Sequence, residues 1–143
     1  MEQHLEDLFS HHRQTLRQMQ SSFHGANCPA VATSVHNFLL TGESHRAARN
    51  INGGFICTPP LHTRDSISGF VSMVAGGAIG NCAVIGTFGG RPSHYFNLVN
   101  LNGSVYFVDA FPSNPVFRLQ AGDLISGYNR FEFYRNFSCE RSA

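Results

Sequence analysis

The sequence predicts an α+β domain with N-terminal helices packed on a meandering antiparallel β-sheet. Three observations carry that expectation. Apolar residues recur at helical spacing through residues 2–42. The second half shows short β-rich runs with period 2 instead. Between two of those runs sits Asn102-Gly103, the dipeptide that a two-residue type I′ hairpin loop demands. No repeat and no interior linker divides the 143 residues. One domain over 1–143 is expected, with 1–24 able to serve as an accessory element.

Residues 2–23 read as an amphipathic helix carrying Leu5, Leu8, Phe9, His12, Leu16, Met19 and Phe23 on one face. Such a helix packs on the sheet or docks a partner or secretion chaperone. Gly25-Ala26-Asn27 breaks it. Asn27 suits the N-cap of a second helix and Pro29 its first turn, where no backbone N–H is needed. Val31, Val35, Phe38 and Leu39 form the apolar face, and Gly42 closes the helix after Thr41. Cys28 therefore falls at a helix N-terminus. Residues 43–63 read as an irregular connection, rich in Asn, Gly and Pro and suited to bordering a cleft. Residues 64–75 suit a third helix, starting near Asp65 or Ser66 and ended by Gly76-Gly77. Residues 82–88 read as a strand, and Gly89-Gly90-Arg91-Pro92 as the turn into the hairpin. A last short helix is expected over 119–126, before Gly127. Residues 130–137 alternate Phe131 and Phe133 with polar neighbours and read as a final strand.

The hairpin fixes a register. With Asn102-Gly103 as the loop, Leu101 faces Ser104, Phe96 faces Asp109 and His94 faces Phe111. Side chains alternate, so His94, Phe96 and Asp109 share one face. His94 and Asp109 become diagonal neighbours within hydrogen-bonding reach. A loop one residue longer would place them on opposite faces.

Composition narrows the classes. Net charge is +1, charged residues are 13%, and no basic stripe occurs, so nucleic acid is not an expected partner. No apolar run is long enough to span a membrane. The N-terminus lacks the basic-then-apolar order of a secretory signal. The chain is expected to act where it is made, to leave by a route without a cleaved signal, or to be cut from a longer protein. All ten basic residues are Arg. A GC-rich genome gives that pattern, and so does avoidance of ubiquitin attachment inside a eukaryotic cell. The four cysteines form no CxxC pair, and no HExxH pair occurs, so neither a metal nor another cofactor is expected. A core this rich in Phe needs no disulfide, and thiols are expected.

The chemistry follows from three positions. A cysteine at a helix N-terminus feels the positive end of the dipole, which favours thiolate. A histidine beside an aspartate is held in one tautomer with its charged form stabilised. Cys28, His94 and Asp109 thus make a nucleophile, a base and an orienter. Each alone has a blander reading: a core thiol, a polar strand residue, a turn carboxylate. Cys82, the other Asn-Cys cysteine, begins a strand and reads as sheet core. Cys57 lies in the connection and Cys139 near the tail, neither beside a base in sequence.

Three segments, NCPAVATSVHNFLLTGE (27–43), GAIGNCAVIG (77–86) and SHYFNLVNLNGSVYFVDA (93–110), carry a family likeness. Here the chain resembles the papain-like toxin and effector domains of bacteria, including protein-glutamine deamidases. The shared pattern is an Asn-Cys opening a helix that ends Leu-x-Gly, a short strand, a His-x-Phe-Asn strand, an Asn-Gly turn and a Val-Asp strand end. The likeness spans roughly residues 25–112, leaving the first helix and the tail uncovered. Many members continue Asp-Gly-Gln where this chain has Asp109-Ala110-Phe111-Pro112. The resemblance implies a papain-like fold, with Cys28 as nucleophile, His94 as base and Asp109 as orienter. Asn27 and Phe111 are the residues expected to touch substrate.

The implied activity is hydrolysis of a protein amide, foremost deamidation of a glutamine side chain by a secreted toxin or effector in the host cell cytoplasm. A eukaryotic host protein is the expected substrate, with a secretion chaperone or immunity protein as further partner. Proteolysis and transglutamination use the same triad. The small size favours deamidation, since little chain is left for an extended peptide groove. The other class is a non-catalytic binding module with Cys28 in the core.

Overall fold

The computed structural model describes residues 3–20, 28–47, 55–90, 93–112, 114–119 and 126–141. These residues form α1 (Gln3–Arg17), α2 (Cys28–Thr41), β1 (Phe55–Cys57), β2 (His62–Arg64), α3 (Ser68–Ala75), β3 (Cys82–Gly89), β4 (His94–Leu101), β5 (Ser104–Asp109), β6 (Val116–Leu119), β7 (Tyr128–Tyr134) and β8 (Cys139–Arg141). Six strands make one antiparallel sheet in the order β2-β7-β3-β4-β5-β6, and β1 pairs with β8 in a separate two-stranded sheet. The architecture is α+β.

Turn chemistry sets the centre of the sheet. Asn102 has φ 55° and Gly103 φ 88°, the two positive angles of a type I′ loop. Leu101 therefore faces Ser104, and Asn97 faces Val108. Asn100 secures the turn: its Oδ1 accepts from the Gly103 N–H at 2.9 Å, and its Nδ2 donates to the Gly77 carbonyl at 3.1 Å. The hairpin end is thereby tied to the loop between α3 and β3.

Alternation along β4 and β5 then sorts the core into two layers. Val99, Leu101 and Val108 pack with Leu5, Leu8 and Leu16 of α1 and Val31, Val35 and Leu39 of α2. Phe96, Leu98, Val105 and Phe107 pack on the other face with Phe70 and Val74 of α3 and with Phe131 and Phe133 of β7. Burying each such side chain contributes about 1.5–3 kcal/mol. The apolar face expected for the second helix is buried throughout. Gly42, at φ 80°, ends α2 with its N–H on the Phe38 carbonyl at 2.8 Å.

Several expected boundaries shift. The first helix is shorter than 2–23. Its path leaves helical geometry at His11 (φ −135°, ψ 43°). After Arg17 the N–H groups of Gln18, Met19 and Gln20 bond only three residues back, at 3.3, 3.1 and 3.3 Å, which is how a helix tightens to its end. Met19 stays buried, but Phe9 is 50% exposed at the edge of α1, where its ring meets Tyr106 at 5.9 Å. The connection 43–63 contains two strands, because β1 and β2 find partners in β8 and β7. β2 takes up residues through Arg64, so the third helix begins at Ser68 rather than near 64. Leu119 closes a strand paired to β5, against the helix expected over 119–126. The last long strand runs Tyr128–Tyr134, and β8 follows it. Phe23, Gly25-Ala26-Asn27, 120–125 and Arg91-Pro92 lie outside the described residues. Among the described residues no helix is long and apolar enough to cross a membrane.

Candidate active site

The ring of His94 and the carboxylate of Asp109 meet as the hairpin register requires. His94 opens β4, and Asp109 closes β5. Nε2 of His94 lies 2.7 Å from Oδ2 of Asp109. An ionised carboxylate only accepts, so Nε2–H is the donor. The other carboxylate oxygen, Oδ1, accepts from the Phe111 N–H at 3.0 Å. Asp109 thus does both things its position suggested: it shapes the turn and it holds the ring. The two side chains are 22% and 17% exposed, shielded yet reachable.

Cys28 approaches from a different element. It is the first residue of α2 and is half-buried as a free thiol. Cys28 is one of the two groups, with Asp109, that raise the His94 pKa. Burial by itself would push the His94 pKa down. Hydrogen bonding to Asp109 and Cys28, and the negative charges both can carry, outweigh burial and hold it up at about 10. The imidazolium is therefore the favoured form at neutral pH.

Three further side chains hold this geometry; only Asn97 figured in the sequence reading, as the Asn of the His-x-Phe-Asn strand and without a role. Thr87, fully buried in β3, is the register partner of His94 and donates from its hydroxyl to the His94 carbonyl at 2.9 Å. Asn97 donates from Nδ2 to the Ala32 carbonyl in α2 at 3.0 Å. Gln20 donates from Nε2 to the Pro112 carbonyl at 2.6 Å, joining the segment after α1 to the loop beyond Asp109. A signal existed for two of them. Thr87 and Asn97 are polar residues at buried positions of otherwise apolar strands, where an unpaired polar group would be costly.

Phe111 sits where the parity argument placed it. Its ring centroid is 6.0 Å from that of His94, edge on, and the residue is 37% exposed. Phe96 stacks against the imidazole at 6.2 Å. Asn27, the second residue expected to touch substrate, lies outside the described residues.

Cys82 provides an internal contrast. It too has a histidine partner, with Sγ 3.6 Å from Nδ1 of His36. Burial pushes the Cys82 pKa up to about 12, against a smaller opposing effect of Arg135. Burial likewise brings His36 down to about 4. This pair stays neutral inside the core, so it lacks the charge separation that a thiol nucleophile needs.

A cleft of about 590 Å³ lies elsewhere, lined by His4, Asp7, His11 and Phe38 among others, and includes none of Cys28, His94 or Asp109. Among the described residues no group of three or more His, Cys, Asp or Glu is placed to hold a metal ion. No family model, no curated protein and no solved structure matches this chain.

Proposed function

We propose that the protein is a papain-like thiol amidohydrolase that converts a glutamine side chain of a target protein to glutamate. The observation that carries this reading is the 2.7 Å His94–Asp109 pair, with Cys28 at the start of α2 as the other group that raises the same histidine. Cys28 thiolate attacks the carboxamide carbon. The oxygen becomes an oxyanion facing the start of α2, where the first backbone N–H groups have no partner within the helix. The tetrahedral intermediate collapses as His94 gives its proton to the leaving nitrogen, and ammonia departs. Water, deprotonated by His94, attacks the thioester, releasing glutamate and restoring the thiol. Asp109 keeps the ring in one tautomer and balances its charge throughout. Phe111 forms one wall beside the reacting group. Loss of one amide adds a negative charge to the target, enough to bias a switch or an interface.

The wider setting belongs to the same proposal. The reading is of a toxin or effector delivered without a cleaved signal into a eukaryotic cytoplasm, with a host protein as substrate and a chaperone or immunity protein as companion. Intact-mass comparison of host proteins incubated with the wild type and with Cys28→Ala tests it. A gain of about one dalton that needs Cys28 supports deamidation. Cut fragments support proteolysis, and a gain matching an added amine supports transglutamination. Cys28 that reacts with iodoacetamide only after denaturation, together with unchanged targets, makes the chain a binding module instead.

A further inference from the structure

The two-stranded sheet brings together two cysteines from opposite halves of the chain. Cys57 is the register partner of Cys139. Just beyond the strands, the Thr58 N–H donates to the Ser138 carbonyl at 3.0 Å. The Thr58 hydroxyl adds to it, accepting from the Ser138 N–H at 2.9 Å. Hydrogen-bonded and non-hydrogen-bonded pairs alternate along an antiparallel ladder. The main-chain bond from Thr58 to Ser138 flanks Cys57–Cys139 on one side, as ladder bonds flank a non-hydrogen-bonded pair. Residues in such pairs have Cα atoms about 4.5 Å apart, inside the ~4.4–6.8 Å range of disulfides.

We propose that Cys57 and Cys139 form an intramolecular disulfide under oxidising conditions, while Cys28 stays available as a thiol. The oxidant is a low-molecular-weight disulfide such as oxidised glutathione. One cysteine thiolate attacks its S–S bond and releases one glutathione. The second cysteine attacks the mixed disulfide and releases the other. Two S–H bonds are lost and one S–S bond forms in the protein. Both protons and both electrons end on the two glutathione thiols. α2 packs against β1 and against β8, so the bond clasps the two strands on which the helix of Cys28 rests. Cys82, only 4% exposed, takes no part.

The test uses the full chain, reduced, freed of reductant and incubated with oxidised glutathione. Residual thiols are then alkylated in denaturant and the unreduced protein is mapped by peptide mass. One linked peptide pair joining Cys57 to Cys139 is expected, with Tm on the order of 10 °C above that of the reduced chain. Cys57→Ser and Cys139→Ser each abolish that rise. A linkage that includes Cys28 or Cys82, four unlinked cysteines, or a Cys57–Cys139 bond with unchanged Tm overturns the proposal. The map of the wild type decides even where a variant fails to fold. No readout uses amidohydrolase activity, so the outcome is separate from the fate of that reading.

Discussion

Asn97 of β4 donates to the carbonyl oxygen of Ala32 in α2 across 3.0 Å, both residues being buried. This bond ties the helix that begins at Cys28 to the strand that begins at His94. Ala32 lies about one helical turn from the thiol. Asn97 is the fourth residue of β4, on the face opposite His94. Among the described residues its Oδ1 has no partner, so the Nδ2 bond carries the amide's contribution there. Asn97→Leu keeps the volume and removes the donor. A stability loss of about 1–2 kcal/mol in urea unfolding is expected. Alkylation of Cys28 in the folded protein should change in rate as well, since the helix loses its tie to the strand. An unchanged rate with lowered stability would reduce Asn97 to a core residue.

Asp109→Asn keeps the shape of the hydrogen bond and discards the charge. The His94 titration, held at about 10 in the wild type, should fall toward the ordinary histidine value when followed by NMR. Turnover should drop on the order of 10³–10⁴-fold, as it does when a buried carboxylate partner of a catalytic histidine is neutralised. A His94 titration that does not move would mean the carboxylate is not what holds it.

Thr87→Val removes the hydroxyl that bonds the His94 carbonyl and leaves the shape of the side chain almost unchanged. A stability loss of about 1 kcal/mol is expected. A fall in kcat with little change in KM is expected as well, because the ring is misplaced rather than the substrate. Thr87→Ser should restore both. Equal kcat in all three proteins would show that β3 alone positions His94.

Two histidines should shape stability in opposite directions of pH. His36 is lowered to about 4 by burial. The unfolded chain takes up its proton first, so stability present above pH ~6.5 is lost as pH falls toward 4, by roughly 3 kcal/mol in all. His94 is raised to about 10. Its contribution is complete below pH ~6.5 and is lost as pH rises through 10. Urea midpoints measured across pH should flatten on the acid side in His36→Phe and on the alkaline side in His94→Gln. A His36→Phe profile that still falls between pH 6.5 and 4 would assign the acid loss to other groups.

Legibility followed the range of the contacts. The Asn102-Gly103 loop, the facing of Asn97 with Val108 and the burial of Phe131 and Phe133 could be read in sequence because each depends on φ preference or on period-2 alternation nearby. The strands β1 and β2 could not. Each is three residues long, and each exists only because β8 or β7 lies beside it. The bend at His11 left no mark either, for the apolar spacing of the first helix continues through it to Leu16. Leu119 was drawn into a strand by β5 despite a neighbourhood that read as helical.

The sequence by itself determined that His94 and Asp109 share a face, since turn stereochemistry and alternation leave one register for the hairpin. It also determined that Cys28 stands at the mouth of a helix, through the pattern of apolar residues after it and the glycine that ends it. Tertiary structure alone decided that Cys82, read from the sequence as sheet core, also meets a histidine, and that burial leaves that second pair neutral. Cys28 and Cys82 both acquire imidazole partners from distant parts of the chain. One histidine opens an inner strand of the sheet beside a carboxylate, and the other pair lies in the interior, where burial keeps both groups neutral. The physical reason is that ionisation depends on solvent and on neighbours gathered by packing, neither of which any local pattern of residues encodes.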